Sequence, residues 1–177
     1  MSVCFIAFGS NLDEPVQQVI RALITCAKLP NLTLLSVSSL YSSPPLGWVA
    51  QPNFINCIAK FETTLIPMQL LDFCEGLESE MGRVKQGRHR WGARIIDLDI
   101  LLYDQKHLRN DRLTIPHPGM TKRDFVLFPL LEIEPNLMLP DGSTLITHCS
   151  RCENQLELIL AKNDVMTQVN EQLIGVW

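Results

Sequence analysis

The segment Ile95-Ile-Asp97-Leu-Asp99-Ile-Leu-Leu-Tyr103 is apolar except for two aspartates spaced two apart. A strand sends alternate side chains to opposite faces. Ile96, Leu98, Ile100 and Leu102 then form one apolar face that should pack on helices. Asp97 and Asp99 fall together on the other face, between Ile95 and Leu101. Adjacent carboxylates on an apolar strand repel each other unless something neutralises them. A hard divalent cation does so, and Mg²⁺ held by one or two carboxylates plus phosphates is a common arrangement. The pattern alone also fits a salt-bridged pair or a solvated strand face.

The rest of the chain supplies partners for such a strand. Val3 to Phe8 is a short apolar run that stops at Gly9. Asn11 or Asp13 can cap a helix, Pro15 suits its first turn, and Val16, Val19, Ile20, Leu23, Ile24 and Ala27 recur at helical spacing. Leu32 to Tyr41 reads as a second strand and Ser42 to Pro52 as a loop. In a third strand, Phe54 to Glu62, Ile55, Cys57, Ala59 and Phe61 share one face, and Phe54, Asn56, Ile58 and Lys60 the other. Pro67 opens a second helix with Leu70, Leu71, Cys74, Leu77 and Met81 on its inner stripe, ended by Gly82. The order predicts a ferredoxin-like βαββαβ fold of the α+β class, an antiparallel sheet with both helices on one face. Beyond Tyr103, Asp124 to Ile133 reads as a short helix interrupted by Pro129, and Gln155 to Ala161 as another helix.

With 177 residues the chain fits a single domain, here 1–177, with a core over 1–142 and a distinct tail over 150–177. A net charge of -4 argues against a general nucleic-acid binder. Six cysteines scattered through apolar runs suit a reducing, cytoplasmic setting. The N-terminus lacks the basic region of a signal peptide, and no apolar stretch is long enough to cross a bilayer.

The loop before the two aspartates is basic. Arg83, Lys85, Arg88, Arg90 and Arg94 crowd together without an acid between Arg83 and Arg94, among Gly82, Gly87 and Gly92. Guanidinium groups there and a cation on the Asp pair complement polyphosphate. A solvated basic loop is the bland alternative, and Trp91 counts against it. Phe54 and Asn56 share a strand face beside Ser43-Pro44-Pro-Leu46-Gly47, where a ring and a carboxamide can take a flat heterocycle, or serve as an ordinary edge residue and a turn Asn. His117, in Ile115-Pro-His-Pro118, can donate to a phosphate or be structural. Cys149 and Cys152 form one C-x-x-C without a second pair, so neither zinc nor redox chemistry is assigned to them.

Five blocks in order carry a resemblance: Ile6-Ala-Phe-Gly9-Ser-Asn11-Leu, Tyr41-Ser-Ser-Pro-Pro-Leu-Gly47, Arg90-Trp-Gly-Ala-Arg94-Ile-Ile-Asp97-Leu-Asp99-Ile-Leu-Leu, Leu113-Thr-Ile-Pro-His117 and Phe125-Val-Leu-Phe-Pro-Leu-Leu-Glu-Ile. Together they resemble the 6-hydroxymethyl-7,8-dihydropterin pyrophosphokinase family, over about Val3 to Gly142. The resemblance implies transfer of pyrophosphate from ATP to the pterin hydroxymethyl group, releasing AMP, in folate biosynthesis. It implies two Mg²⁺ on Asp97 and Asp99. It places Arg83, Arg94, His117 and Arg123 on the phosphates, and Lys85 and Trp91 on a catalytic loop. Glu78, Ile100, Arg112 and Thr114 would lie near the nucleotide. The pterin would be sandwiched between Phe54 and Phe125, surrounded by Ser43, Pro44, Leu46, Gly47, Gln51, Asn56 and Trp91, with Asp97 beside it.

Phe54 stands where Tyr is frequent, Lys85 where Arg is common and Ala93 where Pro is frequent, and the segment around Gly87 to His89 is one residue longer than expected. The implied partners are ATP and the pterin, with no nucleic acid and no membrane, and a monomer is expected. An RNA-binding module would expose aromatics on a basic sheet face, where this chain has Asp97 and Asp99. A Mg²⁺-dependent phosphohydrolase would release phosphate from ATP without a pterin.

Overall fold

The expected order of elements is present: β1 (Ser2–Ser10), α1 (Pro15–Ala27), β2 (Leu32–Val37), β3 (Leu40–Ser43), β4 (Phe54–Thr63), α2 (Pro67–Glu80) and β5 (Asp97–Tyr103). The computed structural model describes residues 1–47, 50–82 and 92–174. β1 is central, antiparallel to β4 on one side and β5 on the other, and β2 and β3 both pair antiparallel with β4. This is the ferredoxin-like sheet.

One face of the sheet is buried as the alternation requires. Ile6 and Phe8 of β1, Cys57, Ala59 and Phe61 of β4, and Leu98 and Ile100 of β5 meet Val19 and Leu23 of α1 and Leu70, Cys74 and Leu77 of α2. Burying a side chain of this size stabilises by roughly 1.5–3 kcal/mol relative to leaving it exposed. Pro15 occupies the first turn of α1, and Gly82, at φ 92°, ends the second helical segment in a conformation that side chains resist.

Several details depart from the sequence reading. β1 keeps its pairing through Gly9 and Ser10. The second strand breaks into β2 and β3 at Ser38 and Ser39, where the Ser38 hydroxyl accepts from the Ile58 nitrogen at 2.9 Å and so replaces a ladder bond. α1 is entered through Glu14 at φ 60° without a side-chain cap, so neither Asn11 nor Asp13 caps it. Leu102 is not on the helix-covered face beside α1 and α2. The register slips between Phe5 and Ile6, leaving Leu101 as an extra residue in β5, and this bulge flips Leu102 to the opposite face.

That opposite face is not left open either. After a short hairpin of β6 (Leu108–Arg109) and β7 (Thr114–Ile115), α3 (Asp124–Ile133) and α4 (Leu145–Cys149) pack on Phe5, Ile58, Leu101 and Leu102. α3 contains Pro129 and stays helical across it. The tail is a strand followed by a helix. Gln155 to Ala161, expected as helix, carries β8 (Glu157–Leu160), because Leu40 to Ser42 offer a free sheet edge for it. α5 (Lys162–Ile174) then packs Val165 and Val169 into the core. Among the described residues no helix is long and apolar enough to cross a membrane.

Candidate active site

The helices α3 and α4 cover only half of their face. The other half, toward the ends of β1, β4 and β5, floors a cleft of about 250 Å³. Three strands contribute to it by register. Gly9 lies between Asn56 and Asp97, and Ala7 between Ile58 and Asp99. Small residues on the middle strand give the flanking side chains room. A Cβ on Gly9 would come within 3.3 Å of Asn56 Oδ1. The alternation that puts Leu98 and Ile100 into the core puts Asp97 and Asp99 into this cleft.

The cleft wall carries most of the residues expected from the sequence: Ser43, Pro44, Leu46, Phe54, Asn56, Arg94, Asp97, Asp99, His117, Arg123 and Phe125. They divide by chemistry. On the β4 side, Asn56 is buried and its Nδ2 donates to Ser43 Oγ at 2.8 Å. That bond orients the carboxamide, with Oδ1 turned toward Gly9. Phe54 and Phe125 supply two rings on the same cleft.

On the β5 side the groups are charged. Arg94 donates to Asp97 Oδ2. Asp99 keeps 41% of its side chain open to the cleft. Shielding by the cleft walls, followed by the neighbouring Asp97 charge, raises its carboxyl above the ordinary value, and His117, Arg123 and Arg94 pull it back. His117 Nδ1 accepts from the Gly119 nitrogen at 3.1 Å, so in the neutral ring Nε2 carries the proton. That Nε2 stands 3.9 Å from Asp99 Oδ2. The Arg123 guanidinium lies 5.8 Å from the centre of the Phe125 ring, which joins the charged and aromatic sides.

Other expected residues do not line the cleft. Gly47 turns the loop at φ 88° beside it. Glu78 is buried and accepts from the Leu98 nitrogen at 2.7 Å, fastening α2 to the edge of β5. The Ile100 side chain is in the core. Thr114 pairs with Arg109 in the β6–β7 hairpin. Arg112 is tied to Asp72 and Glu75 of α2 at 2.7 and 2.9 Å. Arg83, Lys85 and Trp91 lie outside the described residues.

Sequence reasoning did not find the roles of Ala7, Gly9 and Asn11. The signal for the first two was small residues on the strand that pairs with Asp97 and Asp99. Asn11 is buried, its nitrogen donates to the Arg94 carbonyl at 3.0 Å, and its Oδ1 accepts from the Arg94 nitrogen at 2.7 Å. Among the described residues no group of three or more His, Cys, Asp and Glu side chains is placed to hold a metal ion. Two carboxylates facing a cleft suit a hard cation that takes its remaining ligands from water and substrate phosphates, as Mg²⁺ does.

Residues 5–135 match the model of the 7,8-dihydro-6-hydroxymethylpterin-pyrophosphokinase (HPPK) family. The chain is 48% identical over 142 residues to the 2-amino-4-hydroxy-6-hydroxymethyldihydropteridine pyrophosphokinase of Haemophilus influenzae, covering 80% of this chain and 88% of that protein. It is 45% identical over 148 residues to the protein of the same description in Pseudomonas aeruginosa, covering 84% and 90%. Its fold is similar to the crystal structure of Plasmodium falciparum HPPK-DHPS, with a TM-score of 0.65, 14% identity and coverage of 85% of this chain and 43% of that one.

Proposed function

The chain belongs to the HPPK family, whose step is the pyrophosphokinase reaction of folate biosynthesis, and from that premise we propose that it runs this reaction with ATP as donor and two Mg²⁺ held at Asp97 and Asp99. The observation that carries the proposal is the division of one cleft. Rings and a carboxamide line its β4 side, and two carboxylates with Arg94, His117 and Arg123 line its β5 side. A flat heterocycle and a polyphosphate need these two environments side by side.

In this reading the pterin stacks between Phe54 and Phe125, with Ser43, Pro44, Leu46, Gly47 and Gln51 around it. Asn56 Oδ1 accepts from a ring N–H, because Ser43 Oγ and the Phe54 carbonyl already take the two amide hydrogens. The hydroxymethyl oxygen attacks the β-phosphorus of ATP and gives up its proton to solvent. The bond from that phosphorus to the α–β bridging oxygen breaks, and AMP leaves. Such transfer needs positioning and charge neutralisation more than covalent help. Arg94, Arg123 and the His117 Nε2–H are the donors for phosphate oxygens in the cleft. Bound Mg²⁺ supplies further charge neutralisation at the phosphates. Arg83, Lys85 and Trp91, outside the described residues, take catalytic roles in this reading by the resemblance alone. Glu78, Ile100, Arg112 and Thr114 bound the nucleotide, Ile100 through its backbone because its side chain faces the core.

We place the protein in the cytoplasm as a monomer. Its six cysteines are all free, and four are buried, which suits a reducing compartment. We also read residues 1–177 as one domain, because β8 and α5 pack on the same sheet and core as residues 1–142. Incubation with Mg²⁺, ATP and 6-hydroxymethyl-7,8-dihydropterin tests the reaction. AMP and the pterin diphosphate are the expected products. Orthophosphate release without the pterin would identify a hydrolase, and nucleotide binding without turnover a binding module.

A further inference from the structure

α3 presents Phe125 to the cleft from its first turn, while its buried stripe is Val126, Leu127 and Leu130. Apolar burial is non-directional. It fixes how close α3 lies to the sheet more firmly than how far the helix slides or turns about its axis. Directional bonds at the two ends of the helix supply that. At the first turn, Asp124 Oδ2 accepts from the Gln155 nitrogen at 3.0 Å, while its Oδ1 accepts from the Phe125 nitrogen at 2.7 Å. Near the last turn, Glu132 Oε1 accepts from the Ser39 hydroxyl, which itself accepts from the Lys162 nitrogen. Gln155 and Lys162 bracket β8, and the pairing of β8 with β3 holds the stretch between them along the sheet edge. Val165 and Val169, fully buried, anchor α5 beyond it. The tail therefore reaches α3 at both ends, and it does so with residues that lie beyond the 5–135 segment matching the family.

We propose that the stretch from Gln155 to Lys162 is a positioning clamp for α3, which sets the Phe125 ring and so the affinity for the flat heterocycle. The inference rests on the pterin reading above. Phe125 directly follows the residue that the tail holds, and its ring follows the backbone through only two side-chain torsions. Arg123, just ahead of the helix, has a long side chain that re-aims when its backbone shifts. Loosening the clamp therefore acts on the heterocycle side and spares the phosphate side.

Two substitutions open the clamp at opposite ends of α3, and neither residue lines the cleft. Gln155→Pro deletes the nitrogen donor to Asp124. Ser39→Ala deletes the hydroxyl shared by Glu132 and Lys162. Gln155→Ala keeps the backbone N–H and serves as the control. The measurements are the Kd for 6-hydroxymethylpterin in saturating Mg²⁺ and non-hydrolysable ATP analogue, and the Kd for the analogue alone. The pterin Kd should rise roughly two- to tenfold in Gln155→Pro and in Ser39→Ala, the range that one net hydrogen bond passes on to a ligand. The analogue Kd should stay within about twofold of the parent on the same scale, and Gln155→Ala should match the parent in both. If Gln155→Pro does not fold, Ser39→Ala decides on the same terms. A folded clamp variant with the parent's pterin Kd overturns the proposal, whatever its melting temperature, because the contact is then structural only. An equal loss of both ligands overturns it too, as does a Gln155→Ala effect as large as that of Gln155→Pro. A parent that binds no pterin overturns the pterin reading, and the clamp's role with it.

Discussion

Glu132 accepts from both the nitrogen and the hydroxyl of Ser39, at 2.9 and 2.7 Å. This fastens α3, the helix that carries Phe125, to the break between β2 and β3. The same carboxylate accepts from the Tyr41 hydroxyl at 3.0 Å, and the Ser39 hydroxyl accepts from the Lys162 nitrogen at 2.9 Å. The knot therefore joins the sheet, α3 and the start of α5.

Its pH dependence follows from Tyr41. Burial, then the Glu132 charge, raises the phenol above its ordinary value of 10.0. The proton is held more tightly in the folded state, so this stabilisation is complete below 10.0 and is lost as pH rises through the higher folded value. Tyr41→Phe should cost about 1 kcal/mol at neutral pH through the lost hydrogen bond. The gap between parent and variant should narrow above pH 10, as read from denaturation midpoints across an alkaline series. A gap that widens there would refute the assignment.

The two aspartates should respond differently in the metal-free protein. Asp97 has Arg94 as partner, and Asp99 sits beside Asp97 in a shielded cleft. Asp99→Asn removes repulsion and should stabilise the fold by about 1 kcal/mol or less, because solvent screens a half-open group, and so raise the melting temperature. Asp97→Asn breaks the pair with Arg94 and should lower it. Both should abolish most AMP production with Mg²⁺. Activity retained in the double variant would remove the metal assignment.

Phe125 lies partly against the α3 core and partly on the cleft. Phe125→Ala should weaken pterin binding by roughly 1–3 kcal/mol through lost stacking and burial. Calorimetry with the nucleotide alone should show little change. Equal losses for both ligands would make Phe125 a core residue first.

Arg112 is expected at the nucleotide, yet it is engaged by Asp72 and Glu75. Replacing both acids, as Asp72→Asn with Glu75→Gln, should lower the KM for ATP and barely move the melting temperature, since all three groups are exposed. A raised KM would show that the acids hold Arg112 where the nucleotide needs it.

Much of this was legible in the sequence because it depends on alternation along single strands. Asp97 and Asp99 opposite Leu98 and Ile100, and Phe54 and Asn56 opposite Ile55 and Cys57, follow from a period of two. Leu102 was misplaced because a bulge changes that period, and the bulge arises between paired strands. The local pattern over Gln155 to Ala161 does not predict β8, because its strand form comes from the free edge of β3. Asn11 looked like a helix cap, the commonest local use of that residue type. Its actual partners lie about 40 and 83 residues away in sequence, which no local pattern reveals.

The position of β5 also sets when the site can exist during folding. β5 pairs with β1 across roughly 90 residues of intervening chain, a costly loop to close. Until that pairing forms, Asp97 and Asp99 have no floor of Ala7 and Gly9 beside them and no Phe54 across the sheet. A partly folded chain with β1, β4 and α1 already assembled would lack half of the cleft. In a refolding experiment, recovery of nucleotide binding would therefore act as a clock for the docking of β5, independent of how much helix or sheet had appeared before it.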